Sequence, residues 1–151
     1  MSKEWHIFSE TRDLAEKLTK KFPVFFSHVN VDEISCVVCM GGKPPNGGRT
    51  LARISVISDK IKIATGTPYN FILEVYDGNW YDLDSKQKQM VIFHELMHID
   101  PEDAESPKLR KHDLEDFHEI LSIWGIDYLD NTDIPKLLDE NLNEEDYGLE
   151  N

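Results

Sequence analysis

The stretch KQKQMVIFHELMHI, residues 86–99, constrains the fold more than any other part of the chain. It runs without Gly or Pro, and Met90, Val91, Phe93, Leu96 and Met97 give it an apolar face at three- and four-residue spacing. This pattern predicts a helix packed against a core, with Asp84 or Ser85 placed to cap it. His94 and His98 lie four apart, so on a helix their imidazoles stand one above the other and can hold a single ion between them. Glu95 is rotated by one residue. It lies beside the ligand pair, at the edge of the metal's open position, where it can take a proton from bound water. This is the physical content of an HExxH zinc hydrolase motif: the metal lowers the pKa of water and the carboxylate acts as the base. Two imidazoles deep in an apolar helix are also costly guests unless something pairs with them.

A zinc site with an open position needs a third protein ligand. Downstream the candidates are His112, Asp113, Glu115, His118 and Glu119. His112 is the preferred one. It starts the next expected helix, just after the loop DPEDAESP, and lies far from that helix's apolar stripe of Phe117, Leu121 and Trp124. Glu115 and Glu119 remain alternatives. Asp113 either braces a ligand histidine through its ring N–H or caps the helix. His6, His28 and His118 are expected to be structural or exposed.

The remaining pattern supplies a framework. Residues 9–22 predict a helix capped by Ser9, with Leu14, Leu18 and Phe22 buried and Pro23 at its end. VFFSHVN and EISCVVCM are short and rich in strand formers. GGKPPNGGRT, residues 41–50, is a loop that lacks the Lys-Ser/Thr ending of a phosphate loop. LARISVISDKIKIATG predicts two half-buried strands, through Ile54 and Val56 and then Ile61 and Ile63, with SDK as the turn. Phe71 to Tyr76 is a further strand, followed by a turn at DGN. KLRKHDLEDFHEILSIWG predicts a last helix ended by Gly125. A helix, several strands and two helices make an α+β domain, its helices packed on one face of a mostly antiparallel sheet.

With 151 residues the chain fits one domain. Its only cysteines, Cys36 and Cys39, stand three apart on an expected strand and so point to opposite faces. There is no second cysteine pair to complete a zinc site, and unpaired thiols suit a reducing compartment. The start, MSKEWHIFSETRD, has no apolar leader, and no run is long enough to span a membrane. The cytosol is the expected location, without a membrane partner. The net charge is −13, of which −8 falls on residues 127–151, where nine acidic residues face a single lysine. That balance argues against a nucleic-acid partner, which needs a basic footprint. It also divides the chain into an expected domain, 1–126, and an acidic C-terminal tail, 127–151.

The pieces NFILEVYDGNWYDLDSKQKQMVIFHELMHI and KHDLEDFHEIL resemble the phage metallopeptidase family, small zincin-like proteins. The arrangement is also similar to the SprT-like minimal zincins. The resemblance covers roughly residues 24–125. It implies a zincin-like α+β fold and a zinc-dependent hydrolysis of peptide bonds, with a protein or peptide as substrate. It also implies one zinc ion per chain held by His94, His98 and His112, with Glu95 as general base. A phage-encoded protein of this kind would work in the host cytoplasm. In such zincins the strand before the metal helix walls the cleft, so Phe71 to Tyr76 is expected to pair with an extended substrate. The chain departs from the family in two places: the loop DPEDAESPKLRK starts strongly acidic and has no glycine, and the acidic end lies outside the match. A second class of function is a catalytically silent zincin-fold protein that holds zinc and acts by binding a host or phage protein. The presence of Glu95, which a pure scaffold does not need, favours hydrolysis.

Overall fold

Among the described residues four strands, β1 (Glu4–Ile7), β2 (Ile34–Met40), β3 (Ala52–Val56) and β4 (Phe71–Tyr76), form one sheet in the order β1-β2-β4-β3. The computed structural model describes residues 2–100, 108–110, 137–138 and 143–144. β1 and β2 are antiparallel, β3 and β4 are antiparallel, and the central pair β2–β4 is parallel. The fold is therefore α+β with a mixed sheet, in which two of the three pairings are antiparallel. Alternation decides which side chains enter the core. Cys36, Leu73 and Ile54 lie side by side across β2, β4 and β3, and Val38, Val75 and Ala52 form the next row. All six are buried.

Among the described residues two long helices cover that face, α1 (Ser9–Lys21) and the site-bearing helix, numbered α6 (Ser85–Met97) below. Between them come the short helical turns α2 (Pro23–Phe26), α3 (Pro45–Gly48) and α5 (Asp77–Trp80) and the two-turn helix α4 (Asp59–Thr65). Ala15 and Leu18 of α1, Phe22 just past its end and Phe26 of α2 meet Met90, Ile92, Phe93 and Leu96 of α6. Phe93 is the pivot of this contact. Its ring is met edge-on by Phe26 at 4.9 Å, Phe22 at 5.4 Å and Phe25 at 5.6 Å, the geometry that opposes ring edge to ring face. At the other end of α6, Lys88 reaches Glu10 at 3.3 Å and lies over the Trp80 ring, while Trp80 Nε1 donates to the same carboxylate at 2.6 Å. The rotation of α6 about its axis is thus held at both ends.

Several local expectations are corrected. Residues 23–26 are helical, not strand: Pro23 sits in the first turn, where its fixed φ favours a helix start and its missing N–H costs nothing. Residues 59–65 are helical too, because Ser58 caps Ile61 N and Gly66 closes the end in the left-handed region. None of the residues of α4 is buried, so the spacing of Ile61 and Ile63 carried no packing information. Ser9 does not cap α1; the cap position is Phe8 and no side chain fills the role. The segment Lys108 to Arg110 is not helical, since Leu109 bridges back to Ile99. The remainder of the last expected helix lies outside the described residues.

Candidate metal centre

The site is built on the last turn of α6. Asp84 caps the helix with its side chain on Gln87 N, and the Gln87 side chain returns to Asp84 N, a complete capping box. Every residue from Gln89 to Ile99 is buried except His94 and His98, which are half-buried. The stretch is enclosed on nearly all sides and is partly open along its two histidines. The imidazole centroids stand 5.2 Å apart, as the four-residue spacing predicts. One donor atom each from His94, Glu95 and His98 lies within 4.8 Å of the others, a group that can hold a metal ion. Two imidazoles and a carboxylate suit zinc and other first-row divalent ions.

Beyond α6 the chain turns back on the helix end. Asp100 N donates to Lys108 O at 3.0 Å, and Arg110 N donates to His98 O. The Arg110 side chain adds an Nε–H bond to Met97 O at 2.8 Å, which satisfies a carbonyl at the helix terminus. His98 Nδ1 lies 2.8 Å from Arg110 O. A carbonyl oxygen only accepts, so Nδ1 carries the ring proton and the lone pair is on Nε2. This is the support a ligand histidine receives in metal sites, where one ring nitrogen is fixed so that the other is presented.

A cleft of about 550 Å³ lies against these residues, lined by His94, Glu95, His98, Leu109 and Arg110 on one side and Ala52, Arg53 and Ile54 on the other. Its wall is β3, not β4. In the strand order β4 is paired on both sides, with β2 and with β3, so its backbone groups are spent. The expectation that Phe71 to Tyr76 would pair with an extended ligand is overturned for that reason. β3 pairs only with β4 among the described residues and presents the edge beside the histidines.

Of the sequence-derived site residues, the structure brings His94, Glu95 and His98 together. His112 and its alternatives Glu115 and Glu119, with Asp113 and His118, lie outside the described residues. His28 is close but turned elsewhere, its Nε2 set 3.1 Å from Ile99 O. Sequence reasoning missed Arg110 and the β3 edge. The contact of Arg110 with His98 is made by a backbone carbonyl, which leaves no mark on residue type. Strand order likewise has no local signature.

Fold and site define a class: an α+β domain whose most enclosed helix carries a His/Glu/His group able to hold a metal ion, opening on a cleft beside a sheet edge. The particular family follows from comparison. The family model described as "Putative phage metallopeptidase" matches residues 3–141, nearly the whole chain, and the chain belongs to that family. No curated protein and no solved structure matches the chain significantly.

Proposed function

We propose that this protein is a zinc-dependent peptidase of the zincin type, with His94, His98 and His112 as metal ligands and Glu95 as general base. The observation that carries the reading is the convergence of His94, Glu95 and His98 donor atoms within 4.8 Å at the wall of a cleft bounded by a sheet edge. The residues present fit the ion: two imidazoles on one helix face, one of them with Nδ1 held by Arg110 O so that Nε2 is presented. When bound, zinc lowers the pKa of water and polarises a carbonyl, the chemistry that peptide hydrolysis requires. Glu95 accepts the proton of the attacking water on its carboxylate and delivers it to the departing amine. β3 orients the substrate by accepting it as an added strand along its outer edge, so that main-chain hydrogen bonds hold an extended peptide across the histidines. Membership of a peptidase family supports a protein or peptide as the substrate.

The test separates metal from base. The purified protein is expected to hold one equivalent of zinc and to cleave an unfolded protein such as reduced, alkylated casein. Glu95→Gln should keep the zinc and lose cleavage by about 10²–10⁴-fold, the range for a general base. Equal cleavage by the variant and the parent removes Glu95 from the mechanism. His112→Ala should lose tightly held zinc while the chain stays folded by circular dichroism. Full zinc affinity in that variant shifts the third ligand to Glu115 or Glu119.

A further inference from the structure

Arg53 is the second residue of β3, at the edge that walls the cleft, and its exposed side chain leaves the sheet on the face opposite the buried Ala52 and Ile54. Its cross-strand neighbour on β4 is Glu74, directly opposite in register. Such a pair ordinarily closes into an ion pair. Here Glu74 is drawn the other way, across β2, where it accepts a hydrogen bond from Trp5 Nε1 on β1 at 3.1 Å. The Arg53 side chain makes no hydrogen bond or ion pair among the described residues, its electrostatic effect being on the Tyr76 hydroxyl of β4. The setting is unusual for this chain. Its net charge is −13, yet among the described residues the charged ones that line the cleft are two arginines, Arg53 and Arg110, and one acid, Glu95.

Strand geometry says what such a guanidinium meets. A peptide added to the outer edge of β3 places the residue directly opposite Arg53 on the same sheet face, within ~5.5 Å between Cβ atoms. Glu74 occupies the equivalent place on the inner side. A planar guanidinium at that point matches a carboxylate with two parallel N–H donors. We propose that Arg53 is a specificity-determining residue that selects an Asp or Glu side chain in the bound peptide at the position opposite it. The proposal rests on the peptidase reading only for the mode of binding, a strand added to β3, and not for the cleavage step.

The experiment reads binding apart from turnover. Fluorescein-labelled, C-terminally amidated ten-residue peptides of Thr, Val and Ala carry a single Glu, Gln or Lys scanned through each position. They are titrated by anisotropy onto zinc-loaded Glu95→Gln protein, and onto the same protein with Arg53→Gln or Arg53→Glu added. Amidation removes the terminal carboxylate, and the label's own charge is the same in every peptide, so a difference among Glu, Gln and Lys reports the side chain. At one position Glu should bind about two- to fivefold tighter than Gln, the size of one cross-strand charge pair, and Lys weaker than Gln. Arg53→Gln should abolish that preference, Arg53→Glu should invert it toward Lys, and high salt should flatten it. If Arg53→Glu does not fold, loss of the preference in Arg53→Gln decides alone. The same ranking in every variant, no preference at any position, or no binding of any peptide overturns the inference. Parent cleavage of the same peptides is measured separately. Cleavage without a Glu preference sinks the specificity and leaves the hydrolase, whereas a Glu preference without cleavage does the reverse.

Discussion

At the scale of the residue, the chemistry-bearing groups divide by what the sequence can encode. His94, Glu95 and His98 were legible because helical spacing alone sets which side chains share a face. The tautomer of His98 was not, since a backbone carbonyl twelve positions away decides it. A second residue-scale consequence concerns Cys36. Its thiol is pushed up from 9.0 to about 11, chiefly by burial among Leu73, Ile54 and their neighbours, with a Thr11 hydrogen bond opposing. Below pH 9 the thiol holds its proton in the folded and unfolded chains alike, and its contribution to stability is fully present. Between pH 9 and about 11 the unfolded chain releases that proton while the folded one keeps it, so the unfolded state gains and stability falls as pH rises. The loss is on the order of 2 kcal/mol across that window. Tyr76, pushed up to about 12 by burial, acts in the same direction at higher pH, so the comparison must be made against Cys36→Ala. Urea unfolding at pH 8, 9, 10 and 11 should show a shallower decline in Cys36→Ala than in the parent. Parallel declines would mean that the thiol ionises equally in both states.

At the scale of the element, the long buried pieces were read correctly, and the short α2 and the exposed α4 were not. Phe71–Tyr76 is the strand expected, to the residue, and α6 follows its predicted core face of Met90, Val91, Phe93, Leu96 and Met97. α4 was misread because its isoleucines are exposed and their spacing answers to no core. Ser58 and Gly66 were the better signals. What no element could disclose was that β3 is the sheet edge, because an edge is a property of neighbours. The capping box on α6 supplies an element-scale prediction. Asp84→Ala removes the acceptor for Gln87 N and should lower stability by about 1 kcal/mol. Amide exchange should quicken in Lys86 to Lys88. His94 and His98 lie two to three turns further on and are held by Phe93 and Arg110, so zinc affinity should stay unchanged. A fall in zinc affinity as large as that in stability would show that the site depends on the helix start.

At the scale of the whole molecule, the question is how far the fold extends toward the acidic end. Charge alone suggested a solvating tail from 127, where nine acids stand against one lysine. Charge counts what a segment offers to water and says nothing of the leucines between the acids. Leu137 is fully buried in the main core, and Leu138 N donates to the buried Gln89 side chain of α6. Glu144, itself an acid of that segment, is buried with Oε1 on Val24 N in the first turn of α2, where a helix N-terminus favours an anion. The family match also runs through residue 141. Apolar burial then makes a definite claim on stability. Leu137→Ala deletes side-chain volume from an enclosed site and should cost about 2–5 kcal/mol in urea unfolding, with the slope of the transition unchanged. Leu149→Ala, in the same acidic segment, is the comparison that controls for composition alone. If Leu137→Ala unfolds at the same urea concentration as the parent, the segment adds charge and no core, and the domain ends where the charge begins. If it unfolds early, the acidic residues decorate a stretch of chain that the site-bearing helix α6 needs at its back.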